Sequence, residues 1–433
     1  HRGQESAGIA VKSGNKISCY KDMGLVTDVF NERILDMFIG EAAIGHVRYS
    51  TTGASLRENA QPMVIKYRNG QLALAHNGNL VNASEIRDRM ENEGAIFQTT
   101  IDSEVIANLI SRNRIKHDNI EESLVEVMKE IKGSYAIVML SPKRLIGIRD
   151  PYGLRPLCIG KLENSYVLAS ESCALDAIGA DYVRDVNPGE IVMIGKDGLV
   201  SIQTELPKNS GLCVLEFIYF ARPDSFIDGT SVHQSRIEAG RTLAKEKPAD
   251  ADLVIGVPDS GITAALGYSM ESGIPYGQGL LRNRYVGRTF IKPDQRQRDI
   301  SVKIKFNALK EAIEGKRIVM VDDSIVRGTT CKRIVQMLRD AGAKEVHVRV
   351  SSPPVKFPCF FGIDMPSKAE LAASNYSVEE IRDMITADSL GYLSMEGLLK
   401  SPVGAKNGFC TACFLGNYPM DVPKEGSKFS CGG

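Results

Sequence analysis

The hydrophobic and polar positions of this chain follow two patterns, and the change between them lies between residues 205 and 245. The first pattern consists of short apolar runs suited to strands, namely AIGHVRYS, QLALAHNG, SYAIVML, RLIGIRD, YVLAS and IVMIGKDGLVSI. Asp197-Gly198 in the last run is typical of a hairpin turn. Two helical patterns accompany the runs: DSEVIANLISRN, which we expect Asp102 to cap, and IEESLVEVMKEIKG, which we expect to end at Gly133. Antiparallel strands mixed with helices predict an α+β domain over residues 1–205.

The second pattern repeats the order strand, turn, helix, strand. It occurs in LVIGVPDSG-ITAALGYSMESG-IPY and again in RIVMVDDSIVRGTT-CKRIVQMLRDAGA-KEVHVRVSS. Continuous β-branched runs fit strands that crossover helices bury on both faces, which predicts an α/β domain with a parallel sheet. We therefore expect a joint at residues 206–245, the α/β domain at 246–380 and a helical C-terminal appendage at 381–433.

Composition narrows the classes of protein that the chain can be. Its 433 residues include 53 Lys and Arg and 53 Asp and Glu, so the net charge is zero. The chain therefore has no overall positive charge that would attract nucleic acid or an anionic membrane. The apolar runs end far short of the roughly 20 residues that cross a bilayer. HRGQES, at the start, is not the pattern of a signal peptide. We predict a cytoplasmic protein whose partners are small molecules, without nucleic acid or membrane.

Two adjacent acids, Asp322 and Asp323, follow the buried run KRIVMV. In an open parallel sheet, ligands bind outside the carboxyl ends of the strands, where these acids are expected. The residues that follow, Ser324 to Thr330, combine a glycine with hydroxyl groups and lead into a helix, so their backbone N–H groups suit a phosphate. The acids can accept hydrogen bonds from sugar hydroxyls or hold Mg²⁺ through water. The combination indicates a phosphorylated ribose; the alternative is a helix cap beside a solvated turn acid.

This stretch resembles the phosphoribosyl pyrophosphate (PRPP) signature of type I phosphoribosyltransferases. GVPDSG at 256–261 is similar to their pyrophosphate loop, and NRYVGRTFIKPDQRQR from Asn283 to their mobile loop. The resemblance implies that Mg²⁺ is held by Ser260, Asp322 and Asp323. It implies PRPP contacts from Asp259, Ser260, Gly261, Asp322, Asp323, Ser324, Val326, Arg327, Gly328, Thr329 and Thr330. Cations that neutralise pyrophosphate are expected from Arg284, Arg288 and Lys292, with Arg296 and Arg298 as further members of the loop. The alternative is an exposed basic loop.

The first half carries three motifs of its own. They are GHVRYST with Arg48, AHNGNL with Asn77 and Gly78, and TTIDSE with Asp102. Each has a purely structural alternative: a surface strand residue, a turn dipeptide and a helix cap. In this order they resemble the glutaminase domain of N-terminal-nucleophile amidotransferases. The resemblance implies that Arg48 binds the glutamine carboxylate, Asp102 its amine, and Asn77 with Gly78 the oxyanion.

The two halves together resemble the glutamine phosphoribosylpyrophosphate amidotransferases, and the resemblance covers essentially the whole chain. YFARPDSFIDG at 219–229 and SSPP at 351–354 belong to it. It implies that ammonia from glutamine displaces pyrophosphate from PRPP to give 5-phosphoribosylamine, the first committed step of purine biosynthesis. It also implies a homotetramer inhibited by purine nucleotides. Two alternatives are a PRPP-binding regulatory protein, for which no helix-turn-helix or basic face is found, and a nucleobase phosphoribosyltransferase.

One feature departs from this family. Its members begin, after processing, with a cysteine whose thiol attacks glutamine while its own α-amine acts as the base. This chain begins at His1, and its earliest cysteine, Cys19, is expected in the middle of a strand with a peptide-bonded nitrogen. We therefore expect that an N-terminal segment is missing and that the glutaminase half is inactive in this chain.

The nine cysteines carry a further signal. Cys410 and Cys413 form a C-x₂-C pair, which in a cytoplasmic protein indicates metal ligation or redox chemistry. From the residues alone, a zinc site is favoured over an iron–sulfur cluster, and the alternative to both is that these thiols bind no metal. The family resemblance reverses that order, because one subgroup carries a [4Fe-4S] cluster in contexts that match Cys213, Cys359, Cys410 and Cys413. We expect Cys158, Cys173, Cys331 and Cys431 to be ordinary buried or tail thiols.

Overall fold

The computed structural model describes residues 1–49, 54–206, 211–283, 305–365 and 367–423. It divides into two compact units. The first comprises His1–Cys213, Cys359–Asp364 and the described residues from Tyr418 onward; the second comprises Val214–Pro358 and Met365–Asn417. No helix in the described ranges is long and apolar enough to cross a membrane.

The first unit is built on antiparallel sheets. Its strands are β1 (Ser6–Ser13), β2 (Lys16–Met23), β3 (Ala42–Arg48), β4 (Met63–Tyr67), β5 (Gly70–Leu80), β6 (Gly133–Leu140), β7 (Leu145–Arg149), β8 (Cys158–Leu162), β9 (Ser165–Ala169), β10 (Asp181–Asp185), β11 (Glu190–Gly195), β12 (Gly198–Gln203) and β13 (Leu212–Cys213). Sheet orders are β2-β1-β3, β10-β8-β9 and β12-β11-β7-β6-β5-β4. The hairpin predicted at Asp197-Gly198 is confirmed, because Gly195 pairs with Gly198 where β11 meets β12.

Side-chain alternation along β5 explains the layers of the first unit. Its helices are α1 (Val26–Val29), α2 (Glu32–Leu35), α3 (Ala83–Asn92), α4 (Asp102–Lys116), α5 (Ile120–Glu130) and α6 (Ser172–Asp176). Leu72 and Leu74 point to a core shared with α3, α4 and α5. Ala73 and Ala75 point the other way, toward Ala10 and Ile44 of the β2-β1-β3 sheet. Because successive strand residues face opposite sides, one strand contributes to both cores of a sandwich.

Two predicted helix ends are wrong. Asp102 does not cap α4: it lies inside the first turn, and its carboxylate accepts a hydrogen bond from the Leu80 amide at 2.9 Å. Gly133 does not end α5, because that helix stops at Glu130. Gly133 is instead the first residue of β6. In both cases a partner on another element decided the outcome, and local capping patterns do not contain that information.

The second unit is an α/β layer. Its strands are β14 (Phe226–Ile227), β15 (Thr230–Ser231), β16 (Leu253–Gly256), β17 (Leu280–Arg282), β18 (Phe306–Ala308), β19 (Arg317–Asp322), β20 (Glu345–Val350), β21 (Ser389–Tyr392) and β22 (Phe409–Cys410). Its helices are α7 (Val232–Glu246), α8 (Gly261–Ser272), α9 (Lys310–Ile313), α10 (Thr329–Asp340), α11 (Ala372–Asn375), α12 (Val378–Ile385), α13 (Met395–Lys400) and α14 (Ala412–Leu415).

Four parallel strands form the sheet of this unit, in the order β16-β19-β20-β21. Ile318, Met320, Val346 and Val348 of the two central strands are fully buried, as the β-branched runs predict. The predicted parallel sheet is confirmed. Strand β21 lies inside the segment that we expected to be a helical appendage. The sequence did not predict this strand, because SLGY is short and becomes a strand only by pairing with β20. The predicted domain boundaries stay predictions.

Candidate active sites

The acid pair lies where the strand pattern predicts, at the carboxyl end of β19. Asp322 is the last residue of β19, and Gly328 adopts a left-handed conformation (φ 78°) immediately before α10. Residues Ser324–Gly328 thus form a tight loop that opens onto the N-terminus of a helix. A cleft of about 290 Å³ is lined by Tyr219, Val257, Pro258, Ser260, Lys305, Phe306, both acids and the residues from Ser324 to Cys331.

The two carboxylates of the cleft are buried, with 9% of Asp322 and 7% of Asp323 exposed. Burial raises the pKa of Asp322 well above its usual range, and the neighbouring charge of Asp323 raises it further. Burial also raises the pKa of Asp323, although Ser260 and Ser324 both donate hydrogen bonds to it. Because both pKa values are raised, the pair is more stable when it holds a proton or binds a cation than when both carboxylates are charged and unpaired.

A second loop meets the first at this cleft. The Val257 amide donates to the Val321 carbonyl at 2.9 Å, which aligns the end of β16 with the end of β19. Ser260 follows a cis peptide bond between Pro258 and Asp259 and reaches Asp323 directly. Asp259 forms an ion pair with Arg282. The structure therefore brings Ser260 and Gly261 to the loop that starts at Asp322, as the motifs predict, whereas Asp259 is largely exposed and bound to Arg282.

Arg327 lines the cleft and pairs with Glu370 at 2.9 Å. The predicted cations Arg284, Arg288 and Lys292, with Arg296 and Arg298, lie outside the described residues. Lys305 also lines the cleft, and its charge lowers the pKa of Asp322 against the effect of burial.

The first unit brings its predicted residues together at the ends of β3, β5 and α4. Arg48 is buried, donates to Glu5 at 3.3 Å and to the Ala54 carbonyl at 3.2 Å, and interacts with the charge of Asp102. Burial raises the pKa of Asp102, but His76 and backbone amides outweigh it, so the pKa lies below its usual range. A buried guanidinium beside a buried carboxylate can bind the two charged ends of an amino acid.

Asn77 and Gly78 lie near the end of β5, paired with Ala136 and Tyr135 of β6. At Gly78 the backbone passes so close to β6 that an added Cβ would stand 2.0 Å from the Ser134 carbonyl oxygen. Any side chain there would displace the strand. The pair is therefore not a turn dipeptide, the structural alternative that its sequence allowed.

His76 is a further residue of this site that the motifs did not indicate, although it stands beside Asn77 in AHNGNL. Its Nδ1 lies 3.5 Å from the Asp102 carboxylate, and its Nε2 lies 3.3 Å from the Ser134 carbonyl oxygen. It thus links the predicted amine-binding acid to the strand next to Gly78. Glu5, the partner of Arg48, was also missed; its place in the opening HRGQES gave no signal.

None of the eight cysteines in the described ranges forms a disulfide. Cys158, Cys173 and Cys331 are buried, as predicted, and Cys431 lies outside the described residues. Cys213 and Cys359 belong to the first unit, and Cys410 and Cys413 to the second. Within the described part of the chain, no three His, Cys, Asp or Glu side chains gather in a way that could hold a metal ion.

Comparison with known proteins agrees with this architecture. Residues 46–177 match the model of the glutamine amidotransferase domain, and residues 230–352 match that of the phosphoribosyl transferase domain. Amidophosphoribosyltransferase of Archaeoglobus fulgidus is 52% identical over 427 residues, which cover 98% of this chain and 93% of that protein. The chain belongs to the amidophosphoribosyltransferase family. The Bacillus subtilis amidophosphoribosyltransferase is 51% identical over 431 residues, covering 98% of this chain and 90% of that protein.

Two solved structures share the fold of this amidophosphoribosyltransferase-family chain. One is described as the allosteric regulatory enzyme of purine biosynthesis (TM-score 0.92, 50% identity, 98% of this chain and 92% of that one). The other is the Bacillus subtilis glutamine PRPP amidotransferase complexed with ADP and GMP (TM-score 0.91, 50% identity, 98% and 93%). These findings confirm the predicted fold class and function, a glutaminase-type domain followed by a type I phosphoribosyltransferase domain. The roles of individual side chains stay predictions.

Proposed function

We propose that the chain carries out the amidophosphoribosyltransferase reaction at two sites. Ammonia released from glutamine in the first unit displaces pyrophosphate from C1 of PRPP in the second, giving 5-phosphoribosylamine. The observation that carries this proposal is the buried acid pair at the end of β19, beside a hydroxyl-rich loop that opens a helix. Carboxylates suit ribose hydroxyls, and the loop with its helix N-terminus suits the 5′-phosphate.

The second unit supplies the groups that PRPP requires. Asp322 and Asp323 accept hydrogen bonds from the ribose hydroxyls, and the loop residues donate to the phosphate. These loop residues are Ser324, Val326, Arg327, Gly328, Thr329 and Thr330. Asp259, Ser260 and Gly261 face the pyrophosphate end. Arg284, Arg288 and Lys292 are proposed to neutralise the departing pyrophosphate, since charge develops there in the transition state.

Mg²⁺ fits this cleft on the chemistry of its donors. Two buried carboxylates with raised pKa values and the Ser260 hydroxyl are oxygen ligands of the kind that this hard cation takes. When bound, Mg²⁺ would offset the negative charge of the pyrophosphate. Asp322, Asp323 and Ser260 are the residues that would hold it.

The first unit supplies the groups that glutamine requires. Arg48 is proposed to bind the α-carboxylate through its planar fork, and Asp102 the α-amine, since its depressed pKa keeps it ionised. The Asn77 carboxamide and the Gly78 amide would stabilise the oxyanion formed on the side-chain carbonyl. Water exclusion from both sites keeps ammonia available for transfer.

The nucleophile of glutamine hydrolysis is not Cys19. It lies in the middle of β2, its nitrogen is peptide-bonded, and burial raises the pKa of its thiol. A thiolate paired with a free α-amine is what this chemistry needs. Cys19→Ser should therefore leave glutamine hydrolysis unchanged, and loss of glutamine turnover in that variant would contradict this assignment.

A [4Fe-4S] cluster on Cys213, Cys359, Cys410 and Cys413 is proposed from the sequence contexts. The described side chains do not form a ready metal site, so no step of the reaction is routed through a cluster. Two backbone contacts in the second unit support the proposal. The Val214 amide, one residue after Cys213, donates to the Cys410 carbonyl at 3.4 Å. The Phe357 amide, two residues before Cys359, donates to the Cys413 carbonyl at 3.0 Å.

Iron and sulfide analysis of anaerobically purified protein tests the cluster. We expect about four irons per chain and broad visible absorption, both lost in Cys413→Ser. Cys331→Ser, at a buried thiol outside the proposed ligand set, is the control and should keep both. A colourless protein with one equivalent of zinc would overturn the proposal. The cluster's role is then structural or oxygen-sensing.

Regulation and assembly are proposed from relatives. The Bacillus subtilis structure contains ADP and GMP, and purine nucleotides present the same phosphate and ribose groups as PRPP. We propose that they inhibit this chain and that it forms a homotetramer. Sedimentation analysis with and without nucleotide tests the assembly.

Pyrophosphate release tests the proposed reaction against its alternatives. We expect release from Mg²⁺–PRPP that requires an ammonia source and no nucleobase. A nucleobase phosphoribosyltransferase would require the base, and a PRPP-binding regulator would release nothing. If calorimetric titration of the protein with PRPP in the presence of Mg²⁺ shows no heat of binding, the proposal is wrong.

A further inference from the structure

A six-residue segment, Cys359–Asp364, packs within the first unit. It belongs to that unit although Pro358 before it and Met365 after it belong to the second. The segment is not regular secondary structure, so its backbone groups need partners elsewhere. Those partners are Asn79 on β5, Ser134 on β6 and Arg155 between β7 and β8. Strand β5 carries Asn77 and Gly78, and β6 flanks them.

Two carbonyl oxygens of the segment accept three hydrogen bonds. Phe360 accepts from the Asn79 carboxamide at 2.8 Å. Phe361 accepts from the Ser134 hydroxyl at 2.8 Å and from the Arg155 guanidinium at 2.9 Å. The Ser134 hydroxyl also accepts from the Asn79 amide at 3.2 Å. Because Ser134 and Arg155 are fully buried, these bonds are shielded from water and hold the backbone firmly.

Arg155 is itself held in place from two sides. Its amide donates to the fully buried Asp150 carboxylate at 3.4 Å, and its carbonyl accepts from Arg149 at 2.8 Å. Asp150 also receives the amides of Tyr152 and Leu154, at 3.0 and 3.1 Å. The donor that reaches the Phe361 carbonyl is therefore part of a rigid, buried network.

Gly362 brings the segment into direct contact with Gly78. Its φ is 82°, and a Cβ added there would lie 3.0 Å from both the carbonyl carbon and the carbonyl oxygen of Gly78, and 2.8 Å from Arg155. Backbone thus lies against backbone, with no side chain between them. A displacement of Gly362 has to move either Arg155 or the strand at Gly78.

The end of the segment also touches the arginine strand. The Tyr49 hydroxyl donates to the Asp364 carboxylate at 3.3 Å, and Tyr49 directly follows Arg48. The segment therefore contacts residues next to both the carboxylate-binding and the oxyanion-binding positions.

We infer that Cys359–Asp364 is a positioning element of the glutaminase site, holding the Asn77–Gly78 backbone where it can stabilise an oxyanion. The inference rests on the proposed function of that pair. Oxyanion donors act only when they are placed in advance, within a few tenths of an ångström, so a rigid support behind them matters for rate. Residues of the segment act through Gly78 and do not touch glutamine.

Gly362→Ala tests this inference, with Gly179→Ala as matched control. Both glycines have positive φ, but nothing lies within 4 Å of a Cβ at Gly179. The two variants therefore carry the same kind of backbone strain, and only Gly362→Ala presses on Gly78. We expect Gly362→Ala to lower kcat for glutamine hydrolysis by about tenfold or more. The KM for glutamine and ammonia-dependent transfer should change by less than about twofold.

Asn79→Ala is a second variant that removes a bond without adding strain. Asn82→Ala is its control, since the Asn82 carboxamide also donates to a backbone carbonyl, that of Glu130 at 3.0 Å, away from the segment. We expect Asn79→Ala to lower kcat in the same direction as Gly362→Ala. Amide hydrogen exchange over residues 77–80 should rise in both test variants and in neither control.

The outcomes separate the inference from the proposed function. Loss of kcat confined to Gly362→Ala and Asn79→Ala, with increased exchange at residues 77–80, supports the positioning role. Equal kinetics in test and control variants overturns it while leaving the proposed function intact. A wild-type protein that does not hydrolyse glutamine overturns the proposed function, and the positioning role with it.

Discussion

At the scale of single residues, the acid pair shows a conflict between stability and binding. Asp322 and Asp323 are adjacent, buried and acidic, and the pKa of each is raised in the folded protein. In the unfolded chain both carboxyls ionise near pH 4. The free energy of unfolding therefore falls as pH rises from there toward the folded pKa values, because the folded state must ionise these groups in a poor solvent. The buried acid pair lowers the stability of the fold, so we attribute its presence to ligand binding and not to folding.

Asp322→Asn is expected to stabilise the ligand-free protein by on the order of 1 kcal/mol at neutral pH. The same variant should lose the rise in melting temperature that Mg²⁺ with PRPP produces in the wild type. Thermal denaturation with and without the ligands measures both effects. Glu379→Gln, an exposed acid of the same unit, is the control and should change neither. A wild-type ligand response in Asp322→Asn would count against the role of the pair.

At the scale of elements, the loop Ser324–Gly328, which we propose binds phosphate, depends on one backbone conformation. Gly328 has φ 78° and is the residue before α10. A residue with a Cβ adopts this conformation only with strain. At Gly328 an added Cβ would also meet Met384 at 2.7 Å. Gly328 sets how the loop enters the N-terminus of α10, where we propose that the phosphate binds.

Gly328→Ala should weaken PRPP binding at least about tenfold, while destabilising the fold by roughly 1–2 kcal/mol. Gly315→Ala is the matched control: its φ is 75°, and nothing lies within 4 Å of an added Cβ. The control should show the loss of stability without the loss of affinity. Calorimetric titration and denaturant unfolding of both variants separate the two effects. Equal affinities in the two variants would contradict the assignment of the loop.

At the scale of the whole molecule, the two proposed sites belong to two compact units. The residues proposed to bind glutamine, Arg48, Asn77 and Asp102, lie in the first unit, and Asp322 with its loop lies in the second. Each proposed site is assembled from strands and helices of its own unit and has its own buried charges. A substitution in one unit should therefore affect only the step that its own site performs.

Arg48→Lys and Asp322→Asn should differ in which nitrogen donor they affect. A lysine cannot reproduce the planar fork of Arg48, so we expect glutamine affinity to fall by about tenfold or more, with ammonia-dependent transfer unchanged. Asp322→Asn should impair transfer from either donor. Glutamine calorimetry and pyrophosphate release with ammonium chloride measure these effects. Loss of ammonia-dependent transfer in Arg48→Lys would show that the sites are not separable.

Sequence by itself determined the fold class, the parallel sheet and the location of the acid pair, because strand periodicity, β-branched runs and loop chemistry are local properties. It also indicated Arg48, Asn77, Gly78 and Asp102 as one set. Only the tertiary structure decided what each touches. Asp102 binds the Leu80 amide instead of capping its helix, and Gly133 begins a strand instead of ending a helix.

The support behind Gly78 is the clearest case of tertiary information. Phe360 lies 281 residues from Asn79 along the chain, yet its carbonyl accepts a hydrogen bond from Asn79 on the strand of Asn77 and Gly78. The Phe361 carbonyl accepts from Ser134 on the neighbouring strand β6. Backbone carbonyls are the same in every residue, so no side-chain pattern records where they bind. Such contacts arise only when the chain is folded, since they depend on which strands and segments become neighbours in space.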